Sequence, residues 1–73
     1  MIKRNIRREF DSIRNELDMN LSNNYKDLAQ DALRKLKETV DTYYKDGMLK
    51  DKDYSKLKAI VDDYSVKMAD YHH

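Results

Sequence analysis

Seventy-three residues make room for one domain and no more, and a chain that short buries only about 60% of the surface it exposes when unfolded. Cysteine and proline are absent and Gly47 is the only glycine, which excludes disulfides, thiolate metal sites and glycine-rich phosphate loops and argues against turn-dense β and α/β folds. Charged residues form 40% of the chain but sum to only +1, which disfavours a generic nucleic-acid binder, and no apolar run approaches the ~20 residues of a membrane span.

The first helix is predicted over about 2–20. Ile2, Ile6, Phe10, Ile13 and Leu17 recur at alternating spacings of three and four, which lines them along one helical face. The polar stretch Asn20-Leu21-Ser22-Asn23-Asn24 follows and reads as a turn, because its side chains compete for backbone hydrogen bonds.

The second helix is predicted over about 24–46, with Asn24 as N-cap and Asp27 at the third position. Its stripe is wider: Tyr25, Ala29, Ala32, Leu33, Leu36, Val40 and Tyr43, flanked by Leu28 and Tyr44. A helix that touches two neighbours needs that width, and Ala29 and Ala32 would let a neighbouring backbone come close. Gly47 falls where a left-handed C′ residue is wanted, with Met48 placed to close back on Tyr43.

The third helix is predicted over about 51–71. Tyr54, Leu57, Val61, Tyr64, Met68 and Tyr71 keep a three-four alternation. With Lys50 as N-cap, Leu49 and Tyr54 have the spacing of a hydrophobic staple. Both connections are short, so neighbours run antiparallel and the expected fold is an all-α, up-down-up three-helix bundle. The alternative is a helical hairpin with a projecting first helix covered by a dimer partner.

The segment from Leu36 through Asp46-Gly47-Met48-Leu49 to Asp53-Tyr54 and Leu57-Lys58 resembles the SHOCT-type helical hairpins. These are short helix–turn–helix modules whose second helix starts with acidic and aromatic residues. The likeness spans less than half the chain, and it implies a hairpin that serves interaction.

Chemistry finds little to work with. Nucleophilic catalysis needs a nucleophile beside a positioned base, yet the only histidines, His72 and His73, sit at the chain end. No Glu-x-x-His motif occurs, so the di-metal carboxylate pattern of helical bundles is absent. Asp62 and Asp63 are adjacent, but neighbours on a helix point ~100° apart and read as a solvated face. The terminal histidines could hold a transition metal weakly or belong to an expression tag. No enzyme activity, cofactor, metal or small-molecule substrate is expected.

Five of the six tyrosines, Tyr25, Tyr43, Tyr54, Tyr64 and Tyr71, fall on inward stripes, where rings fill the core and hydroxyls reach its wet edge. Tyr44, Ala59, Ile60 and Val66 lie off the stripes and offer a modest apolar patch, which would suit self-association through the third helix.

The first helix is charged against its own dipole. Lys3, Arg4, Arg7 and Arg8 crowd its start, and Glu16 and Asp18 lie near its end. Lys3/Arg7 and Arg4/Arg8 are also like-charge pairs one turn apart. One explanation is internal, with Glu38, Asp41, Asp46, Asp51 and Asp53 of the other helices close by. The other is an external acidic partner, because broken local rules often mark function. Flank sorting adds a third element: Lys3, Arg7 and Arg14 lie on one side of the stripe, Glu9 and Glu16 on the other.

The resulting expectation is a small cytoplasmic, non-enzymatic module that binds a protein partner, or itself, through helix faces. Its candidate partner-binding residues are Lys3, Arg4, Arg7, Arg8, Arg14, Tyr44, Ile60 and Val66. The alternative is a small nucleic-acid binder that uses the arginine-rich start. A membrane-surface helix built on Ile2, Ile6 and Phe10 is a third option.

Overall fold

The computed structural model describes residues 2–71, with side chains through Ala69. Three α-helices run up, down and up: α1 over Arg4–Ser22, α2 over Lys26–Lys45 and α3 over Asp51–Lys67. A 3₁₀ turn, Met68–Tyr71, closes the described chain. The bundle is a short rod of 36 × 19 × 15 Å. His72 and His73 lie outside the described residues, as does the side chain of Tyr71.

The apolar stripes become one core. Ile6, Phe10, Ile13 and Leu17 of α1 meet Ala29, Ala32, Leu36 and Val40 of α2 and Leu57, Val61 and Tyr64 of α3, with Leu49 and Met68 sealing it. Burying each of the larger aliphatic side chains contributes about 1.5–3 kcal/mol. No polar or charged residue is buried among those described. The α1 and α2 backbones approach each other closely, where Ala29 and Ala32 present only methyl groups. α1 and α3 stay further apart and meet through long side chains.

The helix ends correct several expectations. α1 starts at Arg4, because Lys3 is extended (φ −62°, ψ 147°) and only its carbonyl joins the helix, accepting from Arg7 N–H at 3.0 Å. It continues through Ser22, beyond the expected end at Asn20. Asn24 is not the N-cap of α2. It adopts a left-handed conformation (φ 61°) and ends α1 instead. Its N–H reaches the Leu21 carbonyl at 3.1 Å, and the Tyr25 N–H reaches the Asn20 carbonyl at 2.8 Å. Those two bonds are the Schellman pattern, and asparagine supplies the left-handed residue that glycine usually does.

Tyr25 takes the N-cap place and is 55% exposed, so it leaves the inward stripe to which its spacing assigned it. The second Schellman turn is where the sequence put it. Gly47 has φ 77°, its N–H meets the Tyr44 carbonyl at 3.1 Å, and the Met48 N–H meets the Tyr43 carbonyl at 2.9 Å. Lys50 is the N-cap of α3, with Leu49 buried before it and Tyr54 half-buried after it, as the staple requires. The α-helix ends at Lys67 and not at 71, where it tightens into the 3₁₀ turn.

Candidate functional site

Tyrosine hydroxyls tie every pair of helices to a carboxylate. Between α1 and α2, Tyr43 donates to Glu9 Oε1 at 2.6 Å. Between α2 and α3, Tyr54 donates to Asp41 Oδ1 at 2.9 Å, and Tyr44 donates to Asp51 Oδ1 at 2.6 Å. Tyr44 and Tyr54 stack with ring centroids 4.0 Å apart. Between α1 and α3, Tyr64 donates to Asp18 Oδ1 at 2.6 Å and accepts from Arg14 Nε at 3.1 Å. Lys67 Nζ lies 5.6 Å from the centre of the Tyr64 ring, in range of a cation–π contact.

These bonds shift the phenols. Hydrogen bonding to Glu9, Asp51 and Asp41 raises the pKa values of Tyr43, Tyr44 and Tyr54 above the ordinary tyrosine value. Tyr64 is raised mainly by burial, then by its bond to Asp18, with Arg14 pulling the other way. Its bond to Tyr64, above all, raises Arg14. The tyrosine–carboxylate pairs are therefore structural links in which the neutral phenol is the working form.

The charge sorting on α1 now has a meaning. The acidic flank faces α2, where Glu9 accepts from Tyr43 and Glu16 lies 3.8 Å from Lys35 Nζ. On the basic flank Arg14 meets Tyr64 of α3. Arg14 is thus part of a half-buried interhelix cluster and stands apart from the other arginines of the first helix.

The start of α1 is different. Ile2, Lys3, Arg4, Arg7 and Arg8 line an open groove together with Asp53 and Lys56 of α3. Because α1 and α3 run in the same direction, their starts lie side by side at one end of the rod. Five cations face one carboxylate there. Arg7 also pairs with Asp11 at 3.4 Å, but both side chains are about half exposed, and such pairs contribute little. Of the acids expected to satisfy this end, Asp41 instead takes Tyr54 and Lys58, and Asp51 takes Tyr44. Among the described residues, Arg4 and Arg8 make no ion pair. Lys56 is the member of the groove that reading the sequence missed. The up-down-up topology, which brings the start of α3 beside the start of α1, was the signal that could have found it.

The apolar candidates do not share one surface. Ile60 is half-buried and packs on the core, while Val66 is 74% exposed. Tyr44 stacks on Tyr54 near the start of α3, and Val66 lies fifteen residues beyond Asp51, a rise of ~22 Å along the helix. Ile6 and Phe10 are core residues, so the apolar face of a membrane-surface helix is already occupied. No helix among the described residues is long and apolar enough to cross a membrane. No group of three His, Cys, Asp or Glu among them converges to hold a metal ion.

Compared with protein-family models, curated proteins and solved structures, the chain matches none. The likeness of residues 36–58 to the SHOCT hairpins therefore has no family match behind it and carries no further argument.

Proposed function

We propose that this chain is a non-catalytic interaction module that binds a protein partner through helix faces, with the basic edge formed by the starts of α1 and α3 as its main contact. One observation carries this reading. The charged flanks further along α1 are engaged by α2 and α3, whereas Lys3, Arg4, Arg7 and Arg8 are gathered with Lys56 around an open groove. Cations placed at a helix N-terminus oppose the helix dipole, a cost of roughly 0.3–1 kcal/mol each. An anionic surface docked there would offset it.

A nucleic-acid partner is the second reading, favoured by the same arginines. Affinity that falls steeply with salt would be its mark. The experiment is affinity capture from native lysate, with wild type and the Arg4→Glu/Arg8→Glu variant in parallel and with nuclease treatment in a third arm. A protein retained by wild type, lost by the variant and unaffected by nuclease is the expected result. Retention of nucleic acid alone, or equal retention by both proteins, contradicts it.

A further inference from the structure

We infer that the groove between the starts of α1 and α3 takes a short acidic peptide segment that also carries apolar side chains. The inference rests on the interaction reading above and names the chemistry of the partner. The groove holds Lys3, Arg4, Arg7, Arg8 and Lys56 against Asp53, with half-buried Ile2 as an apolar element of its wall. Arg4 and Arg8 stand one turn apart, a rise of ~6 Å. Carboxylates one turn apart on a partner helix repeat at the same rise, and arginine's fork is built to take a carboxylate in two parallel bonds.

The extent of the positive charge separates a peptide from an extended polyanion. The basic wall at the start of α1 covers the N-cap Lys3 and the helix through Arg8, a rise of only ~8 Å. The whole chain is +1, so everything outside the groove is net acidic. Asp11 and Asp18 follow along α1, and Asp62 and Asp63 are exposed along α3. A nucleic-acid strand running past the groove would meet those carboxylates. A peptide with a few acidic residues fits within the basic stretch, and its apolar side chains have Ile2 to cover.

The test uses three labelled probes: a peptide of glutamates with one leucine per turn, the same peptide with glutamine for glutamate, and a single-stranded oligonucleotide of similar length. Anisotropy titrations are run against wild type, Arg4→Glu/Arg8→Glu, the milder Arg4→Gln/Arg8→Gln, and Lys37→Glu, an exposed α2 position outside the groove. Circular dichroism verifies that each variant is helical. The glutamate peptide should bind wild type roughly tenfold or more tightly than the glutamine peptide or the oligonucleotide. Both arginine variants should lose about that factor, and Lys37→Glu should stay within about twofold.

Equal binding of the two peptides, or full affinity in the arginine variants, overturns the inference. Tighter binding of the oligonucleotide with the same arginine dependence replaces the peptide with nucleic acid. If the glutamate peptide fails while wild type still captures a lysate protein that resists nuclease and is lost by Arg4→Glu/Arg8→Glu, the acidic-peptide inference falls and the interaction reading stands. Failure of both experiments removes both.

Discussion

Replacing Tyr64 with phenylalanine removes one oxygen and leaves the ring in place. Tyr64 is buried, only 6% exposed, so Phe keeps the apolar contact. What is lost is the donor to Asp18 at 2.6 Å and the acceptor for Arg14 at 3.1 Å. A hydrogen bond to a charged partner contributes about 1.5–3 kcal/mol when shielded. Asp18 is exposed and Arg14 half-buried, so water recovers part of that, and a loss of about 1–2 kcal/mol remains. For a domain of this size the melting midpoint should fall by about 4–16 °C. Urea melts of wild type, Tyr64→Phe, Asp18→Ala and the double variant give the coupling directly. Tyr44→Phe is the comparison, because its hydroxyl also meets an aspartate but the residue is 38% exposed and lies near the end of α2. If Tyr64→Phe costs no more than Tyr44→Phe, and the coupling with Asp18 vanishes, the triad does not hold α3 to α1 and the reasoning fails.

Three further outcomes follow from the same geometry. The raised phenol pKa values stabilise the fold fully below the ordinary tyrosine value of about 10. That stabilisation is lost as pH climbs through the raised values, so the urea midpoint should hold at neutral pH and drop on the alkaline side; a phenolate absorbance titration that puts all the tyrosines at the ordinary value would contradict this. Asn24→Ala forces a Cβ-branched-free but still chiral residue into φ 61° without asparagine's local hydrogen bonding and should destabilise by about 1 kcal/mol in denaturant melts, while Asn24→Gly should be neutral or better. Lys50 caps α3 without a side-chain hydrogen bond, so Lys50→Ser should raise stability by about 0.5–1 kcal/mol, and an unchanged melt would show that the α3 start is already satisfied.

The sequence carried the fold because the bundle is built from period alone. The three-four spacing of Ile6, Phe10, Ile13 and Leu17 needs one helix and one core, and every one of those side chains is buried. The Gly47 turn was equally readable, since only one residue in the chain tolerates a left-handed turn at no cost. Asn24 was misread because asparagine serves both as an N-cap and as a left-handed C′ residue, and only the backbone shows which role it takes. The tyrosine hydroxyls were expected at the wet edge of the core, but their partners were not legible. Choosing Glu9, Asp41, Asp51 and Asp18 requires knowing which helix flank faces which neighbour. Three of those four carboxylates are aspartates, in a chain with eleven aspartates and three glutamates, so part of the aspartate content serves these links. The basic start of α1 was visible as a broken rule. Whether the bundle's own acids answered it depended on distances, and the structure gives Asp41 and Asp51 other partners while leaving Asp53 at the groove.

One variant sets the fold and the proposed function against each other. Arg4 is the first residue of α1, exposed at the start of the helix and one turn from Arg8. In Arg4→Glu a cation that opposes the dipole becomes an anion that favours it, and a like-charge pair becomes an attractive one, for a gain of about 1–2 kcal/mol at low salt. Measured side by side, urea stability should rise while affinity for the acidic peptide falls. A loss of stability with binding unchanged would mean that the bundle itself uses this arginine, and that no partner waits at the basic edge.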